Sequence, residues 1–262
     1  MSPSSSALPG VSRLLAVMRA LRNPDGGCPW DLEQDSRTLA RYTLEEAYEL
    51  VAAIETGNEA SVRDELGDLL FQVVFHAQLA AERGAYDFDT VAAGIAAKLE
   101  RRHPHVFAPD GRDAGHWEQI KSEERAARGA PGVLDDVPTA LPALTRAVKL
   151  CKRAATVGFD WPDAHGPRAK LLEELDEVDA AARGEGGSSL EDEVGDLLLA
   201  ATSLARHLRV DPEGALRRAN TRFETRFRAM ESLAARRGQQ LAELDAAQLD
   251  GLWEEVKRDV QS

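Results

Sequence analysis

Cysteine is almost missing. Cys28 and Cys151 are the only two in 262 residues, and they show neither metal-site nor redox spacing. A disulfide framework is therefore not expected, and a reduced, cytoplasmic setting is. Aromatic residues make up only 5% of the chain, and no apolar run approaches the length of a membrane span, so no membrane partner is expected. The opening stretch MSPSSSALPG has no basic patch followed by an apolar core, which argues against a secretory signal; residues 1–10 read as a loose tail. No segment alternates with β-branched residues, so no sheet is expected. Basic residues are also in deficit: 32 Lys and Arg stand against 45 Asp and Glu, a formal net charge of −13. That balance argues against nucleic acid held by counterion release. It leaves room for a nucleotide held through metal ions, because a bound cation reverses the local field.

What the chain does have is helix signal. Hydrophobic residues at 43% and charged residues at 29% fit a soluble globular protein, and the length suits two domains of about 130 residues each. The pattern predicts helices over 11–22, 43–55, 59–83, 89–102, 141–156, 170–183 and 190–209, with another opened by Asp211-Pro212. The Ala-, Gly- and Pro-rich stretch 125–144 marks a domain junction. This gives an N-terminal domain over 11–128, a linker over 129–140 and a C-terminal domain over 141–262.

The two halves repeat one another. Glu45, Glu46 and Glu49 recur at an offset of 128 as Glu173, Glu174 and Glu177, and Glu65 and Asp68 recur at the same offset as Glu193 and Asp196. Further on, KLERR at 98–102 resembles RFETR at 222–226, and WEQIK at 117–121 resembles WEEVK at 253–257. Blocks recurring in the same order, with offsets that change only in loops, indicate a tandem duplication.

The repeated carboxylates call for a shared cause. Capping by Thr43-x-x-Glu46 would explain the first copy, but Leu171 stands where the second copy would need the threonine. The helix ELGDLLFQVVFHAQLAA is apolar on nearly every side, which predicts burial and makes Glu65 and Asp68 costly unless paired or metal-bound. His76 reads as a polar neighbour rather than a ligand, its counterpart being Leu204. Residues i and i+3 share a helix face, so Glu46 with Glu49 and Glu65 with Asp68 form two pairs that face one another across a helical hairpin. Such carboxylates cannot all stay ionised without cations. An all-oxygen shell suits Mg²⁺ or Mn²⁺, with a polyphosphate substrate completing it. Lys98 with Arg102, and Arg222 with Arg226, lie one turn apart and could grip phosphate. Trp117 and Trp253 could stack on a base, with Lys121 and Lys257 reaching phosphate or a base edge.

The acidic motifs, together with CPWD at 28–31, YTLEEAYE at 42–49, RRHPHVF at 101–107 and RFETRFR at 222–228, resemble the MazG family of nucleoside triphosphate pyrophosphohydrolases in its two-domain form. The resemblance covers roughly residues 11–258 and implies an all-α fold of tandem MazG-like domains. Each domain would form part of a dimeric four-helix-bundle unit in a homodimer. It implies magnesium-dependent hydrolysis of a nucleoside triphosphate to monophosphate and pyrophosphate, as in cleaning of the nucleotide pool. By likeness to two-domain relatives the C-terminal copy is the main catalytic one. Glu174, Glu177, Glu193 and Asp196 would then be ligands, mirrored by Glu46, Glu49, Glu65 and Asp68. Glu173, with Glu45 as its counterpart, would be a ligand or help to activate water. Arg222, Arg226, Trp253 and Lys257 would bind nucleotide. Relatives often carry Lys where this chain has Arg222, and Arg is not equivalent to Lys at a phosphate. The alternatives are a sister pyrophosphatase with a narrow substrate, dUTPase-like or acting on phosphoribosyl-ATP, and a non-catalytic nucleotide- or metal-sensing module.

Overall fold

The computed structural model describes residues 8–107, 132–185 and 187–259, and every regular element among them is helical. Trp117, Lys121 and part of the expected linker lie outside the described residues. The chain divides into two compact units, residues 1–122 and 123–262. None of the helices described is long and apolar enough to cross a membrane.

The N-terminal unit carries α1 (Pro9–Leu21), α2 (Pro29–Glu33), α3 (Ser36–Thr56), α4 (Glu59–Glu82), α5 (Phe88–Arg102) and the short α6 (Pro104–Phe107). Its centre is the α3–α4 hairpin. Gly57 ends α3 at φ 70°, a left-handed conformation that only glycine takes without strain, and Asn58 then caps α4 by accepting from the amides of Ala60 and Ser61. The chain thus reverses in two residues, which brings the start of α4 alongside the end of α3. The core holds Met18 from α1, Leu39 from α3, and Val74, Phe75 and Leu79 from α4, with Leu14, Leu15, Tyr42, Phe71 and Phe88 packed around it.

The C-terminal unit carries α7 (Ala143–Ala155), α8 (His165–Ala182), α9 (Leu190–His207), α10 (Pro212–Arg236), a 3₁₀ turn (Leu241–Glu243) and α11 (Ala246–Asp259). Its α8–α9 hairpin matches α3–α4 in the placing of its acidic motifs. Ser189 caps α9 by accepting from the amide of Asp192. Helices α10 and α11 pack through Met230, Ala234, Leu252 and Val256.

Several expectations are corrected. Helix α3 starts seven residues before Thr43. Asp35 is its N-cap, and a capping box runs between Asp35 and Thr38. Thr43 therefore sits inside the helix, where its Oγ1 donates to the Leu39 carbonyl and lies 3.0 Å from His76 Nε2. The polar role expected of His76 is thus a contact with Thr43. Helix α5 starts at Phe88 rather than 89 and is capped by Asp87, whose Oδ1 takes both the amide and the hydroxyl of Thr90. Helix α8 begins at His165, five residues earlier than the apolar pattern indicates. Burial all round α4 and α9 is also not found. Leu66, Leu70 and Val73 on α4, and Val194, Leu198 and Leu199 on α9, remain exposed in the single chain.

Phe75 is fully buried between α1, α3 and α4. Phe75→Ala is expected to lower the stability of the N-terminal unit by about 3–5 kcal/mol, the usual cost of truncating a buried phenylalanine. Urea unfolding followed by circular dichroism checks this; a loss below about 1 kcal/mol would show that α4 is not anchored there.

Candidate active site

Both hairpins bring carboxylates together. Glu46 and Glu49 from α3 meet Glu65 from α4, each offering one oxygen, with those oxygens all within 4.8 Å of one another. Glu174 and Glu177 from α8 meet Glu193 from α9 in the same way, again within 4.8 Å. The i, i+3 spacing sets the first two residues of each group on one helix face, and the antiparallel partner supplies the third. Asp68 and Asp196 are not in these groups. Asp68 is close enough for its charge to push up the carboxyls of Glu46 and Glu65. Asp196 borders a cavity with Glu174. Glu45 and Glu173 are exposed.

The electrostatics register the crowding. Loss of hydration raises the Glu46 carboxyl first, followed by the charges of Asp68, Glu49, Glu65 and Glu45. Glu65 is raised by loss of hydration and then by Glu49, Asp68 and Asp64. Glu177 is raised first by its hydrogen bond with Glu174, then by desolvation and by the charges of Glu174 and Glu193. Glu174 is 4% exposed, and its Oε2 has no hydrogen-bond partner among the described residues.

The C-terminal cluster contains a residue that the sequence reading missed. Lys170 Nζ lies 2.6 Å from Glu174 Oε1 and 2.7 Å from Glu173 Oε1. These two carboxylates hold the ammonium well above the ordinary lysine value. At the motif offset of 128 the N-terminal half has Tyr42 in place of this lysine. The available signal was helical spacing, since Lys170 precedes Glu173 and Glu174 by one turn.

Beside Glu174 and Asp196 lies a cavity of about 350 Å³, lined by residues of α7, α8, α9 and the connection before α8. That connection is fixed by two contacts from α9. Arg206 pairs with both carboxylate oxygens of Asp160, with Nη1 2.9 Å from Oδ2. His207 Nε2 lies 3.2 Å from the Trp161 carbonyl. The pair holds Asp160 below the usual carboxylate range, and burial pushes the Cys151 thiol up. The N-terminal unit fixes its CPWD block comparably. Arg22 donates to the carbonyls of Asp31 and Gln34 and pairs with Glu82, its Nε 3.0 Å from Oε1.

The nucleotide-binding candidates fall elsewhere. Trp253 packs against Phe223, with ring centroids 5.4 Å apart, and belongs to the α10–α11 core. Lys257 Nζ lies 2.6 Å from Glu254 Oε1. Arg222 is exposed, while Arg226 is half-buried with an Nε that lacks a partner among the described residues. None of these four borders the cavity. Lys98 and Arg102 are half-buried on α5.

An all-α fold whose hairpins gather carboxylates from two antiparallel helices defines a class of helical proteins with paired acidic clusters. The MazG nucleotide pyrophosphohydrolase domain matches residues 34–107, which span the N-terminal hairpin. The nucleoside triphosphate pyrophosphohydrolase of Escherichia coli K12 is 49% identical over 255 residues, covering 95% of this chain and 97% of that protein. The nucleoside triphosphate pyrophosphohydrolase/pyrophosphatase MazG of Thermotoga maritima is 42% identical over 93% of this chain and 94% of its own length. The nucleoside triphosphate pyrophosphohydrolase of Mycobacterium tuberculosis is 34% identical over 92% of this chain and 65% of its own. The chain belongs to the MazG family of nucleoside triphosphate pyrophosphohydrolases.

The raised carboxyls give a pH prediction. Glu46, Glu65 and Glu177 take up protons at higher pH than ordinary glutamates. Protons and cations compete for the same oxygens, so Mn²⁺ affinity should fall early as the pH is lowered from about 8 to about 5. Without metal the sign reverses. Folded-state values above the unfolded ones mean that this contribution to stability is complete below the unfolded value and lost as pH rises through the folded one. Calorimetric Mn²⁺ titration and thermal melts across this range check both. Mn²⁺ affinity that stays flat to the ordinary glutamate value would contradict the crowding.

Proposed function

We propose that the chain is a Mg²⁺-dependent nucleoside triphosphate pyrophosphohydrolase that converts a nucleoside triphosphate and water to the monophosphate and pyrophosphate. The observation that carries this reading is the buried Glu174, whose Oε2 is unpartnered, in a group with Glu177 and Glu193. Lys170 meets the other oxygen of this carboxylate, but a buried oxygen without a partner costs about 1–3 kcal/mol, which a bound cation would remove. The oxygen-only donor set favours a hard divalent ion, Mg²⁺ or Mn²⁺. Membership of the family and the names of the relatives agree with the reaction.

Glu174, Glu177, Glu193 and Asp196 would hold the metal in the C-terminal copy, and Glu46, Glu49, Glu65 and Asp68 in the N-terminal one. When bound, the ion would neutralise the triphosphate and lower the pKa of nearby water. Glu173 is exposed beside the cluster and paired with Lys170, which suits it to orient or deprotonate that water. Glu45 has the corresponding place in the first copy. Lys170 neutralises Glu174 in the absence of metal, and its ammonium is then free to turn to phosphate when an ion takes the carboxylates. Arg222, Arg226, Trp253 and Lys257, with Lys98, Arg102, Trp117 and Lys121, remain the proposed nucleotide-binding residues.

The exposed apolar positions support a homodimer. Leu66 and Leu70 on α4 correspond to Val194 and Leu198 on α9, and Leu44 corresponds to Leu172, so both hairpins present matching uncovered leucine- and valine-rich faces. A second copy of the chain would cover them as a four-helix unit. Two tandem domains, 11–128 and 141–262 joined by 129–140, and a cytoplasmic location complete the reading.

Incubation of the full-length protein with mixed triphosphates and Mg²⁺ should release pyrophosphate and monophosphate. Orthophosphate with diphosphate would contradict the proposed bond cleavage. Glu193→Gln should lower turnover about 100-fold or more, since even residues behind a metal's ligands cost up to that much, with circular dichroism unchanged. Near-normal rates in both Glu193→Gln and Asp196→Asn, with loss in the N-terminal equivalents, would move catalysis to the first copy.

A further inference from the structure

We infer that the cavity beside Glu174 and Asp196 receives the nucleobase of the substrate, with Ser203 as the polar group that reads it; this rests on the pyrophosphohydrolase reading above. At about 350 Å³ the cavity is within the range of small-molecule sites, and its walls have the composition such sites use, apolar and aromatic with few polar groups. Ala154, Phe159, Trp161 and Leu199 supply apolar surface, while Glu174 and Asp196 stand at its border. A nucleotide makes the same pair of demands: a flat, weakly polar base at one end and a charged phosphate chain, needing cations, at the other. The aromatic wall is held in place by the Asp160–Arg206 pair and the contact of His207 with the Trp161 carbonyl. The indole of Trp161 is 43% exposed and Phe159 still more so, which leaves aromatic surface for stacking.

Ser203 is the group without an internal purpose. It lines the cavity and is 4% exposed, yet its Oγ has no hydrogen-bond partner among the described residues. An unsatisfied buried hydroxyl is unfavourable, and a ligand that supplies the partner removes the penalty. The duplication provides an internal control. At the offset of 128, Ser203 corresponds to Phe75, Ala200 to Gln72 and Leu199 to Phe71. Phe75 is fully buried and lies in the middle of the N-terminal core, so the first copy fills with a phenyl ring the helix position that the second leaves to a hydroxyl. Both copies therefore gather carboxylates, but the space for a base is built into the second.

The test uses the full-length protein, Ser203→Phe and Ser203→Ala, with the four common ribonucleoside triphosphates as substrates and Mn²⁺ titration as the control. Ser203→Phe, which copies the N-terminal residue, should raise KM for every nucleotide about tenfold or more, with a smaller change in kcat. Its Mn²⁺ affinity should stay within about twofold, because the ligands are untouched. Ser203→Ala should alter the ratio of kcat/KM between best and worst base about fivefold or more. Wild-type KM values in a folded Ser203→Phe protein overturn the cavity assignment. If that variant does not fold, an unchanged base ranking in Ser203→Ala overturns it. Should the wild-type protein release no pyrophosphate, the functional reading fails separately. The cavity is then tested by binding of α,β-methylene ATP: weaker binding to Ser203→Phe or Ser203→Ala supports it, and equal binding by all three proteins overturns it.

Discussion

Gathering negative charge on a helical hairpin is the constraint from which the rest of the molecule follows. Carboxylates brought within 4.8 Å repel one another, and a hairpin that gathers them is disfavoured unless a cation or protons intervene. The tight turn at Gly57-Asn58 and the cap at Ser189 set the antiparallel helices against that repulsion, and buried leucine, phenylalanine and alanine contacts further along supply the favourable term. Under the proposed reading, a bound ion would relieve that repulsion, so the arrangement that weakens the metal-free fold would also favour the ion.

The two copies resolve the constraint differently. In the C-terminal copy Lys170 sits on Glu173 and Glu174, a cation supplied by the chain itself. In the N-terminal half Tyr42 has that position, and loss of hydration, followed by the neighbouring carboxylate charges, raises Glu46 and Glu65. The two acidic groups thus differ in the side chain at this position, an ammonium in one and a phenol in the other. Packing divides the copies along the same line: Phe75 completes a core, whereas Ser203 lines a cavity.

The acidic hairpins were legible in the sequence because their chemistry is local. Spacing of i, i+3 places residues on one face whatever the neighbours do, and the repeat at an offset of 128 separates purpose from accident. The helix starts were less legible. Thr43-x-x-Glu46 has the form of a capping box, but Asp35 and Thr38 form a real one eight residues earlier, and a helix once begun passes through Thr43 without a break. The cavity was not legible. Ala200 and Ser203 become a void only when the connection through Asp160 and Trp161 is fixed over them by Arg206 and His207, contacts that join residues 46 apart in sequence. Apolar residues on nearly every side of α4 and α9 predict burial, but Leu66, Leu70, Val194 and Leu198 are exposed in the single chain, because periodicity does not say which surface covers a face.

The most direct measurement is an anomalous difference map from crystals grown with Mn²⁺ and a non-hydrolysable triphosphate analogue. The account predicts a manganese peak between Glu174, Glu177 and Glu193, touching phosphate oxygens, with the Lys170 ammonium displaced from Glu174. Lys170 still seated on Glu174, with no peak among those carboxylates and the analogue bound elsewhere, would contradict it.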